Sequence, residues 1–331
     1  MKAVIPVAGA GTQLRPHTHT QPKPLIPVAG KPILGHIIDN LIEAGIRKQI
    51  FIVGYLKEKI STYVEEQYGD QIEAEFVVQE PRKGLAHAIW TAQDHFREEE
   101  EILIVLGDTI FTEDTKKLLK LPGSILAVHQ VDDPRSFGIA MLDEHKMVKK
   151  LVEKPEIPTS NLALVGMYKI CHIPELIHQL NTIVKPPLDP GKEYYLTDVL
   201  MGMVNAGVEL RTHTVENWYD CGKKQTLLLT NRILLERLNN LSQYQLENTV
   251  VIPPVHIAEG CDIQGSIIGP YVAIAENAKI HHSIVSDSIL GAYSQLESII
   301  LSHSVIGNDT SLKGKSNSIN IGDNTEIDFD Q

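Results

Sequence analysis

Positive charge is in deficit: 30 lysines and arginines stand against 42 aspartates and glutamates, a formal net charge of −12. Binding nucleic acid generally requires a basic face that displaces counterions, so that class of partner is excluded and positive charge must be concentrated around a small anion. Cysteine is scarce too. Cys171, Cys221 and Cys261 lie far apart and form no Cys-x-x-Cys pair, which excludes a disulfide framework and a zinc clamp and fits reduced thiols in a cytoplasm. No apolar stretch is long enough to span a bilayer, and no basic segment followed by an apolar one opens the chain. A cytoplasmic protein without membrane partners is expected. Its 331 residues suffice for a full core, divided between a large unit and a smaller one or between two of moderate size.

What is present begins with Gly9-Ala10-Gly11-Thr12-Gln13-Leu14-Arg15-Pro16, directly after an apolar run from Ala3 to Val7. Pro22-Lys23-Pro24-Leu25 and Gly30-Lys31-Pro32 follow. A glycine-rich turn leaving a strand offers free backbone N–H groups, and a lysine fixed between prolines adds a held positive charge, which together suit phosphate. Leu14 stands where a dinucleotide-binding fingerprint needs its third glycine. Pro32 after Gly30-Lys31 excludes a Walker A loop.

Apolar runs and amphipathic segments then alternate: Ala3 to Val7, Ile33 to Ala44, Gln49 to Val53, Lys57 to Gln67, Ala74 to Val78, Leu85 to Phe96 and Ile102 to Leu106. The alternation predicts βαβ units around a mixed, mainly parallel sheet. Ligands of such sheets bind beyond the carboxyl ends of the strands, so the residues after Val7, Val78 and Leu106 are expected to meet at one crevice. Gln225 to Leu241 carries leucine at helical spacing and predicts a connecting helix. After Glu247 aliphatics recur about every six residues, at Ile257, Ile263, Ile268, Ile274 and Ile280 and later at Leu290, Leu296, Ile306 and Leu312. That repeat suits a parallel β-helix, whose stacked turns bury what one turn cannot.

Several polar residues stand where chemistry is done. Asp108, in Leu106-Gly107-Asp108, ends an apolar strand and can offer oxygen to a hard cation, and Asp220, in Trp218-Tyr219-Asp220-Cys221-Gly222, is a second such acid. Gln79, in Gln79-Glu80-Pro81-Arg82-Lys83-Gly84-Leu85, carries a donor and an acceptor together, which suits the edge of thymine or uracil. His17, His19, His281, His282 and His303 match no ligand spacing and read as surface or packing residues.

The run from Lys2 to Pro32 resembles the signature of the sugar-1-phosphate nucleotidyltransferases, or NDP-sugar pyrophosphorylases, in which Gly-x-Gly-Thr-Arg-Leu precedes Pro-Lys-Pro-Leu and Gly-Lys-Pro. The later segment resembles the hexapeptide-repeat left-handed β-helix carried by long members of that group. The resemblance implies a Rossmann-like α/β nucleotidyltransferase domain over 1–240 and a left-handed β-helix over 241–331, with a nucleoside triphosphate and a sugar 1-phosphate as substrates and Mg²⁺ as cofactor. It implies that Ala8, Gly9, Gly11, Thr12, Gln79 and Gly84 bind the nucleotide and that Gly138, Glu153, Lys154, Asn161 and Gly166 bind the sugar phosphate. Asp108 and Asp220 would hold the metal, and Lys23, Asp108, Gln13 and Arg15 would serve catalysis. Glu193-Tyr194-Tyr195-Leu196-Thr197-Asp198 resembles another sugar-side motif of the group. The β-helix flanks leave a homo-oligomer open, with no particular symmetry.

Gln13 departs from the pattern, because the group carries arginine there. One donor fewer toward a developing oxyanion typically costs about 2.7 to 4 kcal/mol. Two readings stay open at this point: an enzyme in which Arg15 reaches the phosphates instead, and a regulatory protein that binds sugar nucleotides without turnover. A bifunctional nucleotidyl and acyl transferase is a third, for which the repeat is short.

Overall fold

The apolar run after Met1 becomes the strand Lys2–Pro6 at the middle of a nine-stranded sheet. Ala3, Val4 and Ile5 are fully buried, as a parallel strand covered on both faces requires. The computed structural model describes residues 1–314 apart from 113, 186–190, 217, 239–243 and 245. It divides into two compact units, Met1–Thr230 and Asn231–Gln331, with the division falling inside the helix Lys224–Leu238. Leu241, the expected end of that helix, and the tail from 315 onward lie outside the described residues.

In the first unit Lys2–Pro6 pairs in parallel with Lys48–Val53 on one side and Ile102–Val105 on the other, so that Val4 faces both Ile50 and Ile104. Glu73–Val78 extends the parallel part beyond Lys48–Val53. Leu162–Ile170 then runs antiparallel to Ile102–Val105 and joins Gly138–Leu142 and Ser124–Gln130, with Val148–Glu153 antiparallel beyond Gly138–Leu142 and Leu210–Thr214 parallel to Ser124–Gln130. The sheet is therefore mixed and mainly parallel around the glycine-rich turn, as expected.

Helix Ile33–Glu43 buries Ile33, Leu34, Ile37, Ile38 and Leu41, and Gly45 at φ +87° closes it with Gly45 N–H donating to Ile42 O and Ile46 N–H to Leu41 O. The predicted helix from Leu85 to Phe96 is instead two pieces, Leu85–Thr91 and Gln93–Phe96. The Thr91 hydroxyl donates back to His87 O at 2.6 Å, a local bond that bends helices, and Ala92 leaves helical geometry at φ −94°, ψ 2°.

Among the described residues the second unit stacks short strands into three parallel sheets of four strands each, consistent with a left-handed β-helix. Each rung places an aliphatic over its predecessor: Ile263 over Ile280, Leu296 and Leu312 on one sheet, Ile268 over Val285 and Leu301 on another. The aliphatics of the six-residue repeat fall in one core, with Ile263, Ile268, Ile274, Ile280, Leu290 and Leu296 buried and Ile257, Ile306 and Leu312 packed against them. Ser266 and Ser283 satisfy the corners, their hydroxyls accepting from Ser283 N–H and Ile299 N–H of the next rung. His282 and His303 occupy left-handed corners at φ +50° and +48°, and His281 contacts Asp262 at 3.0 Å, so these histidines serve the coil. Ile280→Ala is expected to cost about 2 to 5 kcal/mol in the unfolding of this unit, because a cavity would open where Ile280 is fully buried in the shared core. Denaturant titration with a probe in the β-helix checks the value.

Candidate functional site

Gly11 shows why the two halves of the N-terminal motif go together. It adopts φ +60°, and a Cβ built there would stand 2.8 Å from Lys23 Cβ and 3.0 Å from Thr18 Cγ2. The Thr18 hydroxyl donates to Gly11 O at 2.8 Å, fixing the turn. Glycine at position 11 thus lets the stem of Lys23 lie against the loop. Lys23 itself starts a short 3-10 turn, Lys23–Leu25, with Pro22 extended before it. Its ammonium donates to Asp108 Oδ2 at 2.6 Å, across 85 positions of sequence.

Asp108 follows Gly107, where an added Cβ would lie 2.4 Å from Val7 Cγ1. Only glycine allows the exits of Lys2–Pro6 and Ile102–Val105 to come this close. Asp220 arrives by a two-stranded ribbon: Trp218–Asp220 runs antiparallel to Thr109–Phe111 with Asp220 opposite Thr109, and Cys221 N–H donates to Asp108 O at 3.0 Å.

The two acids are electrostatically unlike. Burial pushes the Asp108 carboxyl up, but the charge and hydrogen bond of Lys23 outweigh it and hold the acid below the ordinary aspartate value. Asp220 is pushed above its ordinary value, chiefly by burial and then by the charge of Asp108, with Lys23 and the Gly222 N–H offsetting only part. A raised carboxyl favours the protonated form in the fold, so the ligand-free protein loses stability as the pH rises from the ordinary aspartate pKa through the raised folded-state one, and the loss persists above it. Asp220→Asn is therefore expected to raise the melting temperature of metal-free protein at neutral pH and to leave it unchanged well below the aspartate range, as read by calorimetry at both values.

Two cavities meet at these residues. One, of about 600 Å³, is lined by the glycine-rich turn from Val7 to Thr12, by Lys23, Gln79, Arg82 and Gly84, and by Gly107 and Asp108. The other, of about 380 Å³, is lined among others by Gln13, Gly138, Glu153, Lys154, Gly166, Thr197, Asp220 and Lys223. Lys23, Asp108, Leu85, Leu106 and Glu193 line both, so the shared wall carries the ion pair. The residues after Val7, Val78 and Leu106 meet as the strand order required.

In the first cavity the Gln79 amide donates to Gly84 O at 3.0 Å and lies 3.2 Å from His87 Nδ1. Burial, followed by the Lys83 charge, lowers the His87 pKa, so the neutral ring accepts from that amide. Gly84 at φ +96° is required by the protein itself: an added Cβ would stand 2.7 Å from Tyr194 O and 2.8 Å from Tyr194 N. Tyr194 N–H donates to Lys83 O and Ala86 N–H to Tyr194 O, which ties this loop to the Glu193–Asp198 segment.

In the second cavity Glu153 Oε2 accepts from the Thr197 hydroxyl at 3.1 Å. An added Cβ on Gly138 would meet Thr197 Cγ2 at 2.8 Å and Glu153 Oε2 at 3.1 Å. Lys154 takes the left-handed conformation at φ +40°, held by its N–H donating to Phe137 O, and its ammonium lies 3.7 Å from Glu153 Oε1. Gly166 at φ +90° sits where the register of Leu162–Ile170 shifts between Leu164 and Tyr168, a bulge that turns Leu164 to Gly166 into the cavity.

Two expected residues are not brought in. Arg15 is exposed and lines neither cavity, and Asn161 lines a separate surface depression with Asp132, Asp133 and Arg135. Thr197, Arg82 and Lys223 line the cavities without having been assigned a role in the sequence. The signal available was position: Thr197 and Arg82 lie inside motifs already quoted, and Lys223 directly follows another.

Among the described residues no three His, Cys, Asp or Glu side chains cluster as a metal cage. Asp108 and Asp220 nevertheless fit a hard divalent cation as a pair of oxygen donors, since the like-charge stress on Asp220 is what such an ion relieves.

A family model described as nucleotidyl transferase matches residues 2–237. The chain is 32% identical over 274 residues to a glucose-1-phosphate thymidylyltransferase from Streptomyces griseus, covering 80% of this chain and 75% of that protein. It is 36% identical over 265 residues to a Methanocaldococcus jannaschii protein named bifunctional protein GlmU, covering 78% of this chain and 61% of that one. The chain spans 61% to 66% of the length of the curated relatives at the head of these matches. Among solved structures, a UDP-glucose pyrophosphorylase complexed with UDP-glucose superposes with a TM-score of 0.62 at 24% identity, covering 71% of this chain and 98% of that one, a likeness of fold alone.

Proposed function

The chain belongs to the nucleotidyl transferase family, and from that premise we propose that it joins a nucleoside triphosphate to a sugar 1-phosphate, giving an NDP-sugar and pyrophosphate. The observation that carries this reading is the pair of cavities sharing the wall of Lys23 and Asp108, one lined by backbone and an amide, the other by a Glu-Lys pair. A phosphate oxygen of the sugar phosphate attacks the α-phosphorus, and the bond to the departing pyrophosphate breaks with its electron pair going to pyrophosphate. Such transfers depend on positioning and electrostatics. Lys23 neutralises phosphate charge at the shared wall, and the backbone of Ala8 to Thr12 receives the triphosphate. Glu153, oriented by Thr197, accepts from sugar hydroxyls, while Lys154 faces the sugar phosphate. Mg²⁺ held by Asp108 and Asp220 would offset the charge on the phosphates.

Uracil or thymine is the base this loop favours. With the Gln79 amide nitrogen turned to Gly84 O, its Oε1 is left to accept from a ring N–H, which uracil, thymine and guanine present and adenine and cytosine lack, and the resemblance to loops in which a glutamine and a glycine read a pyrimidine favours uracil or thymine over guanine. The name of the Streptomyces relative supports dTTP with glucose 1-phosphate as the first pair to try. Pyrophosphate release measured across nucleotides and sugar 1-phosphates with Mg²⁺ tests the reading, and turnover with dTTP or UTP is the expected result. Neutral Gln13 on the cavity wall favours a second reading, a sugar-nucleotide-binding regulator, which binding of an NDP-sugar without any turnover would establish.

A further inference from the structure

Among the described residues four carboxylates, Asp108, Glu153, Glu193 and Asp220, line the sugar-side cavity against three lysines, Lys23, Lys154 and Lys223. That balance is poor for a phosphate, and two of the lysines are already engaged, Lys23 by Asp108 at 2.6 Å and Lys154 by Glu153 at 3.7 Å. Lys223 makes no salt bridge among the described residues. Asp133, an acid that feels its charge, is taken up by Arg135, whose guanidinium donates to both carboxylate oxygens at 2.8 and 2.7 Å.

The backbone under Lys223 is fixed. Gly222 N–H donates to Asp220 Oδ1 at 2.8 Å, Lys223 N–H donates to the Thr226 hydroxyl at 3.2 Å, and Lys223 O accepts from Leu227 N–H at 2.8 Å at the start of the helix Lys224–Leu238. Only the flexible side chain is left to adjust to a ligand. Gln13, on the wall of the same cavity as Lys223, offers an amide and no charge.

We propose that Lys223 binds the phosphate of the sugar 1-phosphate, supplying on the cavity wall the positive charge that Gln13 does not. Lys223 lines the second cavity and not the first, so it acts on the sugar phosphate rather than on the nucleotide. The assignment rests on the nucleotidyl-transfer reading and adds a specific ligand contact to it.

Steady-state kinetics of the full chain test it. Lys223→Ala is expected to raise KM for the sugar 1-phosphate about 10- to 100-fold with little change in KM for the nucleotide, as loss of a hydrogen bond to a charged group predicts. Lys223→Arg should retain most of the activity, and Gln13→Arg placed in the Lys223→Ala background should restore part of it. Lys224→Ala, which removes a neighbouring charge that lines neither cavity, should behave as wild type. The proposal is overturned if Lys223→Ala stays within about twofold of wild type, or if Lys224→Ala lowers activity equally, which would mark a diffuse field instead of a contact. Should wild type bind dTDP-glucose or UDP-glucose without turnover, calorimetric affinities of the same variants decide in the same way. Wild type that neither turns over nor binds these compounds overturns the nucleotidyl-transfer reading itself.

Discussion

Lys23→Met is expected to slow nucleotidyl transfer by about 10²- to 10³-fold at saturating substrates, the usual cost of one lost donor to a developing oxyanion. Methionine keeps the aliphatic stem that packs on Gly11, so the glycine-rich turn should survive and the loss should fall on kcat. The same change leaves Asp108 without its cation. In wild type, Asp108 is held below its ordinary value, so the pair stabilises the fold above the ordinary aspartate pKa, and that contribution disappears as the pH falls through the depressed one. Lys23→Met should therefore flatten the acid side of the stability profile as well as slow the reaction. Turnover within about fivefold of wild type would remove Lys23 from the chemistry and leave it a packing residue.

Lys154→Ala is the second large effect, an increase of about 10- to 100-fold in KM for the sugar 1-phosphate with KM for the nucleotide nearly unchanged. Two features give this substitution its size. The ammonium is one of three on the sugar-side wall among the described residues, and the backbone beneath it is held by the bond to Phe137 O in a left-handed conformation that costs lysine and alanine alike, so that the loss falls on the side chain. Lys154→Arg keeps the charge on the same backbone and so separates its loss from a shift of the loop. Recovery with arginine assigns the effect to charge, and a KM that rises for both substrates alike would mean that the loop has moved.

Much of the fold was legible because its signals are local. The helical spacing of Ile33, Leu34, Ile37, Ile38 and Leu41 marks a buried face whatever lies opposite, and the six-residue aliphatic repeat after Glu247 fixes a stacked coil because every turn repeats the same demand. The break at Ala92 was not legible, since it depends on a threonine hydroxyl turning back to His87 O. Gly84 suited a base approaching the loop, whereas its own Cβ position is blocked by the Tyr194 backbone, a contact between segments more than a hundred residues apart.

By itself the sequence determined the inventory and its order: a phosphate-type turn after the first strand, acids at strand ends, a Glu-Lys pair, and a repeat that can only stack. Only the tertiary structure decided which of these side chains share a space. It joined Lys23 to Asp108, set Asp220 beside them through a ribbon with Thr109–Phe111, left Arg15 at the surface and brought Lys223 to the wall that Gln13 lines. Periodicity is written in neighbours a few residues apart, but convergence depends on sheet order and on close approaches such as Gly107 against Val7, whose partners are distant in sequence.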